Sequence, residues 1–172
     1  MKFRTYMDKK PKEFRKLIGS CFTRPAGGLW GCKGNEWYDY ITTDGLKDEP
    51  NYPLERLNTC FEWELDKKAK IFTIDTAEDF VFLVENYFRK IRNKNIAEIN
   101  YKKLAKDYDA VVATKNAIDT LKNGCRLYGG YTYQWQLKAF LYKIGLLKWD
   151  VPSICVFDPE KFVKNVKILK EK

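Results

Sequence analysis

The stretch Phe61-Glu62-Trp63-Glu64-Leu65-Asp66-Lys67-Lys68, carried on by Ile71-Phe72-Thr73-Ile74, decides the fold class. Apolar and acidic residues alternate from Phe61 to Leu65, the period of a half-buried strand. Asp66-Lys67-Lys68 makes a polar turn, and residues 71–74 form a second strand. Thr76 then stands as an N-cap with acidic residues behind it. It opens a helix from Ala77 to about Arg92, lined on one side by Phe80, Leu83, Val84, Tyr87 and Phe88. Two strands joined by a tight turn and followed by a helix are not a βαβ unit. The chain therefore reads as α+β, a split, mostly antiparallel sheet core with peripheral helices.

Outward from this stretch the pattern stays irregular. Upstream, residues 3–7 are short, aromatic and β-branched, a first strand. Residues 10–18 carry Phe14, Leu17 and Ile18 at helical spacing and predict a helix ended by Gly19. Pro25-Ala26-Gly27-Gly28 is a turn that delivers a strand over residues 29–32, and residues 36–41 form a short helix. Downstream, a helix over residues 101–106 precedes a strand entered through Asp109. Residues 133–144 predict a further helix, residues 153–157 the last strand, and residues 160–166 a closing helix. There is no repeat, low-complexity block or linker, so residues 1–172 read as one domain. Neither G-x-G-x-x-G after the first strand nor G-x-x-x-x-G-K-[ST] occurs, so the common dinucleotide and P-loop folds are unsupported.

Composition narrows the chemistry. The chain contains no histidine, which excludes Ser-His-Asp and Cys-His catalysis, histidine-ligated metals and imidazole bases. Any active site must use carboxylates, Arg, Lys, Tyr, Trp, Cys and backbone amides. Five cysteines (Cys21, Cys32, Cys60, Cys125 and Cys155) show no C-x-x-C spacing, and no metal site is expected. With no apolar run long enough for a membrane helix and no apolar segment behind Met1-Lys2-Phe3, the expectation is a cytoplasmic protein with reduced thiols. Cys32 reads as a buried small hydrophobe. The net charge of +9 and pI near 9.2 attract polyanions: nucleic acid, nucleotide cofactors or an acidic protein face.

Three constellations could carry chemistry. Arg4 lies inside the first strand and is either on the solvent face or a guanidinium clamp for phosphate or ribose. Gly27-Gly28-Leu29-Trp30 either lets the backbone approach a flat ligand with Trp30 as a wall, or is a tight turn beside a core tryptophan. Asp109 and Asp150 sit at strand mouths, where an aspartate is a cap or, when positioned by aromatic neighbours, a catalytic acid. Glu62 and Glu64 share one face of one strand and read as a solvated face paired to lysines across the sheet.

Taken in order, these segments resemble the ADP-ribosyltransferase superfamily, in particular its small phage- and prophage-type members. The resemblance is carried by Phe3-Arg4-Thr5-Tyr6, by Pro25-Ala26-Gly27-Gly28-Leu29-Trp30, by Tyr108-Asp109-Ala110-Val111-Val112, and by the last strand from Ser153 to Pro159. It implies a split sheet that binds NAD⁺ as a substrate and breaks the nicotinamide–ribose bond through an oxocarbenium-like state, with no metal. By that resemblance Arg4 holds the ribose or phosphates, and Gly28 and Leu29 supply backbone contacts to the carboxamide. Trp30 and Tyr38 pack the ring. Asp150 is the first candidate for the acid and Asp109 the second, since Pro152-Ser153 stand where such enzymes carry a glutamate. A Glu-x-Glu pair occurs only at Glu62 and Glu64, too early in the order to imply arginine modification. The resemblance implies mono-ADP-ribosylation of a nucleic acid or a host protein, in a toxin, phage-defence or counter-defence setting. A non-catalytic basic binding protein on the same scaffold is the alternative.

Overall fold

The computed structural model describes residues 1–9, 11–21, 24–43, 54–90, 97–122, 149 and 151–170. These form an α+β structure whose sheets are mostly antiparallel. The first sheet joins β1 (Lys2–Met7), β5 (Thr59–Leu65) and the final strand β11 (Val163–Lys170), with β5 in the centre. Between β1 and β5 in the chain come a hairpin of β2 (Leu17–Cys21) and β3 (Arg24–Gly27), the short strand β4 (Leu29–Gly31) and helix α1 (Glu36–Thr43). The second sheet has the order β4, β10 (Ser153–Val156), β9 (Ala110–Ala113), β6 (Ile71–Ile74), and its β6–β9 pair is parallel. Helix α2 (Ala77–Tyr87), the pair β7 (Phe88–Lys90) and β8 (Ala97–Ile99), and helices α3 (Tyr101–Leu104) and α4 (Lys115–Lys122) lie on one side of that sheet. Helix α5 (Pro159–Phe162) leads into β11.

Strand alternation divides the core in two. On the second sheet Leu29, Ala110, Ile154 and Val156 face the first sheet and pack with Phe3, Trp63, Leu65 and Phe162. The alternate positions Val111, Ala113 and Cys155 face the other way, onto Phe80, Leu83 and Val84 of α2 and Tyr101 and Leu104 of α3. Helix α2 starts as its residues predict. Thr76 Oγ1 accepts from Asp79 N–H, and Asp79 Oδ2 accepts from Thr76 N–H at 2.8 Å, a reciprocal capping box.

The two sheets are joined along one seam. Arg4 N–H donates to Cys32 O at 2.8 Å and Cys32 N–H donates back to Arg4 O at 2.9 Å, an antiparallel bridge from β1 to the end of β4. Beside it Trp63 Nε1 donates to Thr5 Oγ1 at 2.8 Å, and Thr5 Oγ1 donates to Trp30 O at 2.5 Å. Gly31 permits this approach, since a Cβ there would lie 2.6 Å from Trp63 Cζ2. Gly28, at φ +73°, lets β10 approach within the second sheet, where a Cβ would lie 2.7 Å from both Cys155 Sγ and Val156 O.

Three expected helices differ. Residues 11–16 are irregular and Leu17 begins β2, because the apolar residues that suggested a helix serve different clusters. Phe14 sits edge-on to Phe61 in the inter-sheet core, while Leu17 packs on the helix side. Helix α2 stops at Tyr87 because Phe88, Arg89 and Lys90 pair with Ile99, Glu98 and Ala97. The closing helix is only α5, since Val163 onward pairs with β5. Strand pairing overrides the local helical pattern in the last two cases, with the nearby β8 for residues 88–90 and with the distant β5 for residues 163–170. The helix expected over residues 133–144 lies outside the described residues.

Candidate functional site

The Arg4–Cys32 bridge decides which predicted site residues meet. Directly paired residues project to the same face, as do residues two apart on one strand. Arg4, Cys32 and Trp30 therefore share one face across the seam. Tyr6 joins them from β1, and Ser153 lies at the same end of the second sheet, next to Ile154, which pairs with Gly31. Trp30 packs against Trp149 with ring centroids 5.1 Å apart.

The loop after β4 turns back over this face. Asn35 Oδ1 accepts from Arg4 Nη1 at 2.5 Å and from Tyr6 Oη–H at 2.9 Å. Arg4 Nε lies 3.8 Å from Glu62 Oε2, its cross-strand neighbour. Tyr38, on the first turn of α1, stands 6.2 Å from the Tyr6 ring and is 39% exposed. The guanidinium is thus fixed from two sides, with further N–H groups left for a ligand. Burial, reinforced by Cys60, pushes the Tyr6 phenol up to about 12, so it stays a hydrogen-bond donor. Burial also raises the Glu36 carboxyl, and one oxygen, Glu36 Oε2, is buried without a partner among the described residues, as is Trp149 Nε1. An unpaired acceptor and an unpaired donor are the groups a polar ligand would satisfy.

The remaining predicted residues are distributed as follows. Leu29 faces the inter-sheet core, and Gly28 is packed against β10, so its missing side chain is explained by that close approach. Asp150 lies outside the described residues; its neighbours in the chain, Trp149 and Val151, are both buried. Asp109 is at the other end of the sheet. Its Oδ2 accepts from Lys70 N–H at 2.8 Å and its backbone oxygen accepts from Phe157 N–H at 2.9 Å. From Ser153 to Phe157 is four residues of strand, about 13 Å, so the structure does not bring Asp109 to Arg4. It lines a separate cleft of about 470 Å³ with Lys16, Lys102, Tyr108 and Asp158. Glu62 and Glu64 stand opposite lysines, as alternation predicts. Sequence reasoning missed Tyr6, Asn35 and Glu36. Tyr6 was within reach, because residue i+2 from Arg4 shares its face; Asn35 and Glu36 depend on the loop geometry.

Among the described residues no group of three or more cysteines and carboxylates is placed to hold a metal ion, and no helix is long and apolar enough to cross a membrane. In comparisons with protein-family models, curated proteins and solved structures, nothing matches the chain.

The buried thiols give a pH dependence. Cys32, Cys60 and Cys155 are free and buried. Burial pushes the Cys32 thiol up to about 11 and drives Cys155 well above its ordinary value. An unfolded thiol ionises near pH 8.5, so above about pH 9 the unfolded chain holds fewer protons than the folded one and stability falls as pH rises. The urea midpoint is expected to drop between about pH 8 and 10.5, with Cys32 accounting for up to roughly 2 kcal/mol. Cys32→Ala should flatten that slope; an unchanged slope would show that this thiol is not desolvated.

Proposed function

We propose that the chain is an NAD⁺-dependent mono-ADP-ribosyltransferase on an ADP-ribosyltransferase-like scaffold. The observation that supports this most is the placement of Arg4 and Trp30 on one face of the seam, with Trp149 packed against Trp30. Cleavage of NAD⁺ needs a cation for the phosphates or ribose, an aromatic wall for the nicotinamide, and a carboxylate that stabilises the positive charge developing on the ribose. Arg4 supplies the first, and Trp30 and Tyr38 the second; Gly28 and Leu29, which the resemblance assigns to the carboxamide, stand toward the Asp109 end of β10, with Leu29 opposite Val156. Asp150, next in the chain to Trp149, supplies the third. The glycosidic bond breaks with its electron pair leaving on nicotinamide, and the acceptor nucleophile bonds to the ribose carbon and gives up its proton to solvent. None of these steps requires an imidazole.

The test is incubation of the protein with NAD⁺ and a host-cell extract, reading free nicotinamide by chromatography and ADP-ribose adducts by mass spectrometry. Both are expected. Nicotinamide without adducts would make water the acceptor, and no binding of NAD⁺ at millimolar concentration would overturn the reading. A second reading, a non-catalytic basic binding protein, is favoured by one observation: Arg4 is already engaged by Asn35 and Glu62. It predicts nucleic-acid or protein binding with no nicotinamide release.

A further inference from the structure

We propose that the outer face of the three-stranded sheet is a binding surface for single-stranded nucleic acid. The evidence lies in the final strand. Lys164, Lys167 and Lys170 are three residues apart, a spacing that in a regular strand alternates between faces. Here two register shifts intervene, one between Lys164 and Lys167 and one between Ile168 and Lys170, with Asn165 at φ +52° inside the first. The lysines consequently stand opposite Glu64, Glu62 and Cys60, all outer-face positions of β5, while Val163 and Ile168 stay opposite the inner-face Leu65 and Phe61. Bulges re-aim side chains in this way at functional edges.

Across β5, the partners of Glu64, Glu62 and Cys60 are Lys2, Arg4 and Tyr6. Three cross-strand rows result, Lys2–Glu64–Lys164, Arg4–Glu62–Lys167 and Tyr6–Cys60–Lys170, recurring about every 7 Å along the strand. They hold five cations against two carboxylates. Some of that charge is used within the protein: Lys2 lies 3.1 Å from Glu62, Lys164 lies 2.6 Å from Asp66, and Lys170 Nζ donates to Leu57 O at 3.4 Å. Lys167 is exposed and has no acid partner among the described residues. Beside the last two rows stands the exposed ring of Tyr38. A cationic track ending at an exposed aromatic ring follows a phosphate backbone and stacks an unpaired base, whereas a duplex offers no free base face. The track leads to Arg4. As an acceptor site the surface rests on the transferase reading; as a binding surface it stands without it.

The experiment is fluorescence anisotropy with labelled single-stranded DNA and RNA oligonucleotides, without NAD⁺, over a series of salt concentrations. Lys167→Gln/Lys170→Gln is compared with Lys102→Gln/Lys106→Gln, an equal charge change in the cleft beside Asp109. Lys164 is left intact because its bond to Asp66 is structural. The first pair is expected to weaken binding by about fivefold or more and to flatten the salt slope by about 1.4; the second should do neither. Equal losses in both would mean that only net charge matters. No loss in the first pair would mean that these lysines merely protect a sheet edge. Tighter binding of duplex than of single strand would also overturn the proposal. Because NAD⁺ is absent, failure of the transferase reading and failure of this one register separately.

Discussion

Trp63→Ala is expected to cost about 3–5 kcal/mol of stability, which for a chain of this size lowers Tm by roughly 6–20 °C. Trp63 is fully buried on the inner face of β5, with its ring centroid 5.0 Å from that of Phe3. The space around it is filled so tightly that Gly31 cannot carry a methyl group without meeting its ring. Truncation therefore opens a cavity between the two sheets that neighbouring backbone is poorly placed to close. It also removes the Nε1–H that Thr5 accepts, at the point where Thr5 holds Trp30 and the seam together. Trp63→Phe separates the two contributions, since it removes the donor, at about 1 kcal/mol, while leaving a far smaller cavity than alanine does, that of the lost part of the indole. Urea unfolding followed by circular dichroism measures both. If the phenylalanine variant loses as much as the alanine variant, the hydrogen-bond chain, not the packed volume, holds the sheets.

Trp63 also shows what could be read in advance. The alternation from Phe61 to Leu65 located a half-buried strand because one face meets the other sheet and the other meets water, and that asymmetry is written locally. The start of α2 was equally plain, since a capping box is a short-range device. Residues 163–170 were not legible. Their spacing of lysines imitates a helix, and only pairing with β5, a hundred residues away, makes them a bulged strand. The site divides the same way. Arg4, Trp30 and Tyr38 were visible as residue types in short segments. That Asn35 bridges Arg4 and Tyr6, or that Glu36 keeps an unpaired oxygen, follows from how the loop after β4 folds back over the seam. Asp109 illustrates the converse. A strand-mouth aspartate looks the same at either end of a sheet, and only the register of β9 against β10 puts it away from Arg4.

That register sets up the largest expected effect on activity. On the transferase reading, Asp150→Asn should slow nicotinamide release at least about 100-fold, because an amide keeps the shape of the carboxylate but loses the charge that stabilises the ribosyl cation. Asp109→Asn should leave turnover unchanged. Its work is to accept from Lys70 N–H, which an asparagine oxygen also does. Stability is the control for both: circular dichroism melting should show each variant folded, so that lost turnover reports chemistry. Retained turnover in Asp150→Asn with loss in Glu36→Gln would move the acid to Glu36, the described carboxylate with an open acceptor beside the seam. Loss in Asp109→Asn alone would place the reaction in the cleft around Lys102 and Tyr108, and Arg4 would then have no part in it. The assignment of the acid thus turns on which end of β10 the chemistry occupies. Arg4, bridged to Cys32, and Trp149 belong to the end where Ser153 begins the strand; Trp30, opposite Cys155 in mid-strand, meets that end through its ring contact with Trp149, and it is there that a ribose held by Arg4 would need its carboxylate.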